Sequence, residues 1–354
     1  MSRDPEFRRL PLTVQTTYAD LLARLEEDAV LEVGGTPVLR QRDGHKYWYS
    51  VQRLADHTIE KYLGPDTEEV RARVERAREI REDLRERERE RSRLARMCRE
   101  AGLPAVDAQT GKVLLALSRA GLFRLRAVLV GTHAFRCYPG LLGVEISEAH
   151  AVTEDIDVAA FHSISVALDD QLDPDLEGVL GRIGPFIARP SLHQKPTAWR
   201  DNTAGTMVEL LTPNQGKDTE EPVELPALGA HAVPLRFLDY LINEPVQAAA
   251  LYRSGVLVNV PAPARYAIHK LIVAARRHSA AKTKAAKDIA QASVLIEILA
   301  ADFPDELEAA CEEACERGPA WREAIERGAR RLPANARTAL GDVTKLRSGT
   351  DRQT

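Results

Sequence analysis

The sequence predicts an α/β (α+β) fold, and three patterns along the chain support this prediction. An Asp-Gly turn at 43–44 separates two β-favouring runs near the start. A segment of almost only charged residues, 67–101, has the apolar spacing of a long helix. Strand-like segments in the middle of the chain are followed, from Pro263 onward, by an Ala-rich helical region. Alternating strands and helices between two more uniform flanks indicate a central sheet with appended elements.

These patterns divide the chain into five parts. They are an N-terminal β element (1–66), a long charged helix (67–101), a core of strands and helices (102–245), a C-terminal helical domain (246–347) and a disordered tail (348–354).

Composition limits the class of protein. The 354 residues are 44% hydrophobic and 29% charged, which is typical of a soluble globular protein. No apolar run approaches the roughly 18 residues of a membrane span, and the start lacks a signal peptide, so we expect a cytoplasmic protein without a membrane partner. A net charge of −4 excludes a chain that is basic throughout. Any contact with nucleic acid would therefore need a local basic patch.

The long charged helix mixes acids and arginines on most of its surface. Its first half carries a helical apolar stripe, but the middle lacks a sustained heptad pattern. The simplest interpretation is a solvated helix that lies over a neighbouring domain or over a second subunit in a homo-oligomer. An RNA-binding arm is disfavoured because acids interrupt the arginines throughout.

The core and the segment after it show further elements. We expect a helix at 111–120, strands at 123–130, 153–160, 163–168 and 205–211, and helices after Gly131, at 235–243 and at 245–255.

Asp155-Ile156-Asp157 is the most informative tripeptide. On a strand, side chains alternate between faces, so both aspartates project from one face while Ile156 points into the core. Two carboxylates this close repel each other unless a cation lies between them, and hard oxygen ligands suit Mg²⁺ or Mn²⁺. Two solvated acids on an edge strand would show the same pattern.

Two further features lie near this pair in the predicted core. Gly131 and Thr132 follow a strand and precede a helix, a geometry that can bind phosphate, although Thr132 could equally be an ordinary N-cap. Glu209 lies within the apolar strand pattern MVELL. An unpaired buried acid is costly, so either a metal ion or a salt bridge would explain it.

Several blocks together resemble a known family. VLVGTHAF (128–135), TEDIDVA (153–159) and GTMVELLTP (205–213) are similar to the signature of the DNA polymerase β-like nucleotidyltransferase superfamily. More narrowly, the chain resembles a bacterial nucleotidyltransferase-fold family with later motifs that read here VPAPARYAIHKL (260–271) and KDIAQA (287–292). The late lysine motifs are also similar to those of AbiEii-type nucleotidyltransferase toxins.

The chain departs from the usual superfamily pattern in two ways. The spacing from Gly131 to Asp155 is long, so PGLLGVEISEAH (139–150) is expected to loop out. The third acid is Glu209, where aspartate is commoner.

The resemblance implies a mixed-sheet polymerase β-like core that carries out two-metal nucleotidyl transfer on an NTP. Asp155 and Asp157 would hold two Mg²⁺ or Mn²⁺ ions, and Glu209 would share one of them, act as general base, or do both. The β- and γ-phosphates and the rest of the triphosphate would contact a set of residues on the turn and on the helices. This set is Gly131, Thr132, Lys270 and Lys287, with Asp288 orienting a lysine.

The remaining basic residues are candidates for contacts with nucleotide or RNA. Helical Arg276, Arg277 and Lys282 either face solvent or contact an RNA backbone, and Lys195 and Arg200 are weaker nucleotide candidates.

The leading hypothesis is a nucleotidyltransferase (EC 2.7.7-type) that adds NMP to RNA, such as a tRNA end, as a toxin or defence component with an antitoxin or other protein partner. One alternative is transfer to a protein side chain or a small molecule. Another is a non-catalytic interaction module with a degenerate nucleotidyltransferase fold.

Overall fold

A computed structural model describes the greater part of the chain. The described residues are 7–30, 36–42, 45–54, 57–147, 155–163, 171–172, 174–189, 195–214, 216, 219–277 and 282–344. No helix in these ranges combines the length and the apolar character that a membrane span requires. The tail at 348–354, the turn at 43–44 and most of the strand expected at 163–168 lie outside them.

The N-terminal part contains more than the β element expected for 1–66. Its first helix, α1 (Leu12–Val30), was not predicted. Tyr18, Leu21 and Leu25 have helical spacing and are at most 4% exposed. The hydroxyl oxygen of Tyr18 accepts a hydrogen bond from the Ala249 amide at 3.0 Å, so α1 packs on the core of the protein. The prediction was wrong here because this short apolar stripe was overlooked beside the stronger hairpin signal.

The predicted hairpin is part of a three-stranded antiparallel sheet. Its strands are β2 (Thr36–Arg42), β3 (His45–Leu54) and β4 (His57–Pro65). Trp48 is buried against Val70 of the following helix, so this aromatic ring serves packing.

The long charged helix is α2 (Glu68–Glu100), capped by Thr67. Its second half packs on α1, where Asp28 is only 7% exposed. Oδ1 of Asp28 lies 3.2 Å from Nη1 of Arg87, and Oδ2 lies 3.1 Å from Nε of Arg91. One face of α2 is therefore covered within the same chain, and a role for this helix in a homo-oligomer stays a prediction.

The core contains a mixed sheet, as predicted, and this sheet has seven strands. The order is β11-β12-β10-β7-β5, and β9 and β8 extend the edge beside the start of β10. Strands β7, β10 and β12 run parallel, whereas β5, β8, β9 and β11 pair antiparallel. The strands are β5 (Val128–Leu129), β7 (Asp155–Ala159), β8 (Phe186–Ala188), β9 (Ala198–Asp201), β10 (Met207–Pro213), β11 (Val223–Leu225) and β12 (Ala230–Leu235).

Short helices and turns connect these strands. They are α3 (Ala108–Arg119), α4 (Gly131–Phe135), α5 (Tyr138–Leu142), α6 (Leu176–Gly181), a 3-10 turn (Pro226–Leu228) and α7 (Leu238–Leu241). The strand expected at 123–130 is confirmed only at its end, since the residues before Ala127 form turns.

The insertion at 139–150 does not simply loop out, contrary to the prediction. It contributes α5 and strand β6 (Val144–Ile146), which pairs antiparallel with β1 (Phe7–Arg9). The insertion therefore binds the N-terminal segment to the core.

A hairpin replaces the helix that was expected at 245–255. Strand β13 (Val246–Ala250) pairs antiparallel with β14 (Val256–Val260), and Ala248 and Ala250 are almost fully buried in the main core. Alanine favours helices in isolation, but here its small side chain lets the hairpin pack closely. The hairpin packs in the same apolar core as the C-terminal helices.

The remaining C-terminal part is helical, as predicted. Its helices are α8 (Pro263–Arg276), α9 (Lys282–Asp302), α10 (Pro304–Glu316), α11 (Pro319–Ala329) and α12 (Ala334–Thr344). Helices α8 and α9 pack together beside the central sheet and carry the lysine motifs.

Candidate active site

Strand register brings the three predicted acids onto one face of the sheet. Strands β7 and β10 are parallel neighbours, with Asp157 opposite Glu209 and Asp155 opposite Met207. Because paired residues point to the same side, Asp155, Asp157 and Glu209 share a surface that we call the acid face. Ile156 lies on the other side and is fully buried.

Burial and repulsion from neighbouring carboxylates favour the protonated forms of Asp157 and Glu209 on the acid face. Burial, followed by the neighbouring Glu209 and Asp155, raises the pKa of Asp157 to about 7, against the opposing effect of Lys270 and Lys284. Burial and Asp155 also raise the pKa of Glu209, which Arg189 and Lys284 partly offset. A bound cation would relieve this repulsion.

The glycine turn, Gly131 and Thr132, lies directly beside Asp157. Gly131 has a φ of 66°, and a Cβ placed there would be 2.5 Å from Oδ2 of Asp157. The amide of Val130 donates to the Asp157 carbonyl at 2.9 Å. Both the backbone conformation and the close approach therefore require glycine at this position.

Thr132 is not the N-cap of α4, because Val130 takes that position without a side-chain hydrogen bond. The Thr132 hydroxyl instead accepts a hydrogen bond from Nζ of Lys287 at 2.8 Å. The ordinary capping interpretation of Thr132 is therefore excluded, and the turn is joined to α9.

Helices α8 and α9 bring Lys270, Lys287 and Asp288 together; we call these residues the helical wall. Nζ of Lys270 lies 2.7 Å from Oδ1 of Asp288, and Nε of Arg277 lies 2.5 Å from Oδ2. Asp288 is 2% exposed. Burial, then Lys270, lowers the pKa of Lys287. The residues chosen from the two late motifs are thus in direct contact with each other or with the glycine turn.

Tyr266 connects the helical wall to the glycine turn, and sequence reasoning missed it. Its hydroxyl lies 2.9 Å from the Gly131 carbonyl oxygen and 3.0 Å from Oε1 of Gln291, in a fully buried position. Nζ of Lys270 lies 5.1 Å from the centre of its ring. Its place in the motif RYAIHKL was the available signal, but the motif alone does not indicate a contact with a turn 135 residues away.

The other predicted basic residues lie in different environments. The guanidinium carbon of Arg276 lies 4.8 Å from the centre of the Phe237 ring, and Arg277 forms an ion pair with Asp288. Lys282 is exposed at the start of α9. Lys195 lies 3.5 Å from Glu221.

Arg200 lies on the acid face, opposite Met207 on β10. Of the five candidate nucleotide or RNA contacts, it is the one that strand register assigns directly to this face.

Two more cations near the acids were given no role in the site from the sequence. Lys284 is exposed on α9, three residues before Lys287, a spacing that could have indicated a shared helix face. Arg189 follows the short strand β8, and its amide donates to the Ala198 carbonyl at 2.8 Å. No local sequence signal identifies Arg189, because its position depends on the register of three strands.

The chemistry of the acid face fits a hard divalent ion. Its donors are carboxylate oxygens, the ligands that Mg²⁺ and Mn²⁺ prefer. Within the described part of the chain, no three His, Cys, Asp or Glu side chains are already gathered closely enough to enclose a metal ion. An open face of this kind suits ions that take their other ligands from substrate and water, so metal binding stays a prediction.

Comparisons with known proteins bear on this arrangement. A family model described as Nucleotidyltransferase matches residues 108–316, and a model of a domain of unknown function (DUF6788) matches residues 13–72. No curated protein and no solved structure matches the chain. The first match covers more than half of the chain and contains the acid face, the glycine turn and the helical wall. The chain therefore belongs to the nucleotidyltransferase family.

Proposed function

We propose that the protein transfers NMP from an NTP to a hydroxyl group of an RNA acceptor, such as a tRNA, and releases pyrophosphate. The observation that carries this proposal is that three carboxylates share one face of the sheet beside a glycine turn, whose Thr132 hydroxyl accepts a hydrogen bond from Lys287. The carboxylates supply ligands and a base for the attacking hydroxyl, while the turn and the lysines supply groups that bind phosphate.

The glycine turn and the helical wall would bind the triphosphate. Backbone N–H groups at Gly131 and Thr132 and the ammonium groups of Lys270 and Lys287 would neutralise the charge on the β- and γ-phosphates. Asp288 would hold Lys270 in position before the nucleotide binds, since the two are already paired.

The acid face would act on the reacting atoms. The acceptor oxygen forms a bond to the α-phosphorus, the bond from that phosphorus to the β-phosphate oxygen breaks, and pyrophosphate leaves. Glu209 would take the proton of the acceptor hydroxyl as general base. When bound at Asp155, Asp157 and Glu209, Mg²⁺ or Mn²⁺ would polarise the acceptor hydroxyl and the phosphoryl oxygens.

The choice of RNA as acceptor rests on the cations near the acids that the triphosphate would not occupy. Arg200 shares the acid face, and Lys282 and Lys284 are exposed on α9. A role as a toxin or defence component, with an antitoxin as partner, rests only on the resemblance to AbiEii-type proteins and is part of the same proposal.

The test is label transfer from each of the four α-³²P NTPs into total RNA and total protein, with Mg²⁺ or Mn²⁺. We expect label in RNA from the wild type and none from the double variant Asp155→Ala/Asp157→Ala. The double variant Glu82→Ala/Glu86→Ala is the matched control, because it removes two exposed carboxylates from α2.

Other outcomes would replace the proposal. Label only in protein would make a side chain the acceptor. No transfer to any acceptor, together with no NTP binding, would leave a non-catalytic interaction module.

A further inference from the structure

The β8–β9 hairpin forms the sheet edge beyond Glu209. In the β9–β10 pair, Ala198 lies opposite Glu209 and Arg200 opposite Met207. Since the Arg189 amide donates to the Ala198 carbonyl, Arg189 continues the row that runs through Ala198 and Glu209. Both arginines therefore belong to the same side of the sheet as the acid face.

The small side chain of Ala198 leaves room for Arg189 to reach toward β10. Nη1 of Arg189 lies 3.4 Å from Sδ of Met207, the residue paired with Asp155. Arg189 is also close enough to Glu209 to lower the pKa of that acid. Its side chain is nevertheless exposed, and among the described residues it makes no ion pair within 4.0 Å. The guanidinium group of Arg189 can therefore bind an anionic ligand at the edge of the site.

This edge lies on the side of the acids opposite the glycine turn. Gly131 follows β5, which flanks β7 on one side, whereas β9 and β8 flank β10 on the other. A triphosphate held by the glycine turn and the helical wall would therefore occupy one side of the acids. An anion held by Arg189 and Arg200 would occupy the opposite side, which such a triphosphate would leave open to an acceptor.

We propose that Arg189 and Arg200 form a subsite for backbone phosphates of the RNA acceptor next to its reacting hydroxyl. This inference rests on the proposed function. The two positions belong to adjacent rows of one hairpin edge, about 7 Å apart along the strand, a separation comparable with that of successive phosphates in a nucleic acid chain. The planar guanidinium group binds phosphate in a bidentate manner, and such contacts position a nucleic acid without reading its sequence.

The test measures RNA binding by the whole chain in the absence of NTP. The readout is the fluorescence polarisation of a labelled single-stranded RNA at a series of salt concentrations. The variant is Arg189→Gln/Arg200→Gln. Its matched control is Arg89→Gln/Arg93→Gln, which removes the same charge from exposed positions on α2. Binding of the four NTPs and label transfer are measured on the same preparations.

We expect the site variant to bind RNA about tenfold more weakly at low salt, with the slope of log affinity against log salt reduced by about 1.4 for two lost phosphate contacts. NTP affinity should stay within about twofold of the wild type, and the control should resemble the wild type in both measurements.

Three results would overturn the inference. RNA affinity equal to that of the control would mean that the arginines do not bind the acceptor. Weaker NTP binding with unchanged RNA binding would assign them to the nucleotide. Arginine-dependent labelling of protein instead of RNA would assign them to an acidic protein surface. Failure of the proposed function is distinct, because the wild type would then transfer no label to RNA, whether or not RNA binding depends on the arginines.

Discussion

The two sides of the candidate site handle charge in opposite ways. On the strand side, Asp155, Asp157 and Glu209 share one face of the sheet, where burial and neighbouring carboxylates raise the pKa of Asp157 and of Glu209. On the helical side, the buried acid Asp288 is matched by Lys270 and Arg277 within 2.7 Å. The acids of the acid face thus have other carboxylates as neighbours, whereas the buried acid of the helical side is held directly by two cations. We propose from this difference that the acid face receives a cation and that the helical wall, with more cations than acids, binds an anion.

Removing an acid from the strand side should have the largest effect on activity. If the proposed function holds, we expect Asp157→Asn to lower NMP transfer by at least about 1000-fold, because it removes a carboxylate that the proposal places at the reacting atoms. Initial rates at saturating NTP would measure the loss. A rate within about tenfold of the wild type would show that Asp157 lies outside the catalytic centre.

The same variant should be more stable than the wild type at high pH when no metal is present. Folding raises the pKa of Asp157 from 3.8 to about 7, so the folded state holds this proton more tightly than the unfolded chain. The carboxyl therefore costs stability progressively as the pH rises through this range, with the full cost above about pH 7. Thermal unfolding in EDTA at about pH 4 and pH 8 should show an advantage for Asp157→Asn only at the higher pH. Added Mg²⁺ should reduce the advantage, and an equal advantage at both pH values would contradict this account.

On the helical side, loss of an acid should destabilise the protein instead. Asp288→Asn would leave two cations around a buried position, at a cost of about 3 kcal/mol in the free energy of unfolding. Urea denaturation would measure it. Asp239→Asn is the matched control, since Asp239 also pairs with an arginine, Arg317, but is 39% exposed. We expect the control to cost less than about 1 kcal/mol, and equal losses would remove the contrast between the two sides.

The smallest effect should come from the link between the two sides. Tyr266→Phe removes the hydrogen bond to the Gly131 carbonyl, and we expect a fivefold rise in KM for NTP, or about 1 kcal/mol. Steady-state kinetics would separate this change from kcat. Tyr138→Phe is the control, because this buried hydroxyl donates to the Pro261 carbonyl at 3.0 Å rather than to the glycine turn. Both variants should lose a similar free energy of unfolding. An equal rise in KM for the control would show that Tyr266 does not position the glycine turn for NTP.

The sequence was most informative where a short-range rule decides the structure. The two-residue period of a strand is enough to put Asp155 and Asp157 on one side, and the central mixed sheet was predicted correctly. The hairpin β13–β14 was missed because alanine-rich segments favour a helix until tertiary packing is known. Arg189 reaches the acid face only through the joint register of β8, β9 and β10, which no local pattern records.

The packing of α1 limits how the nucleotidyltransferase part can be cut from this chain and joined to another protein. The two family models match separate ranges of the chain, 13–72 and 108–316. The Ala249 amide in the second range nevertheless donates a hydrogen bond to the Tyr18 hydroxyl in the first. A Cβ on Gly140 would come within 2.3 Å of the Tyr18 ring, so the fit between them is close. A shortened chain that begins at residue 108 would expose this apolar surface and leave the Ala249 amide without that partner. Transplanting the nucleotidyltransferase part into another protein would therefore require a replacement for α1, and boundaries drawn from sequence families would be poor places to cut.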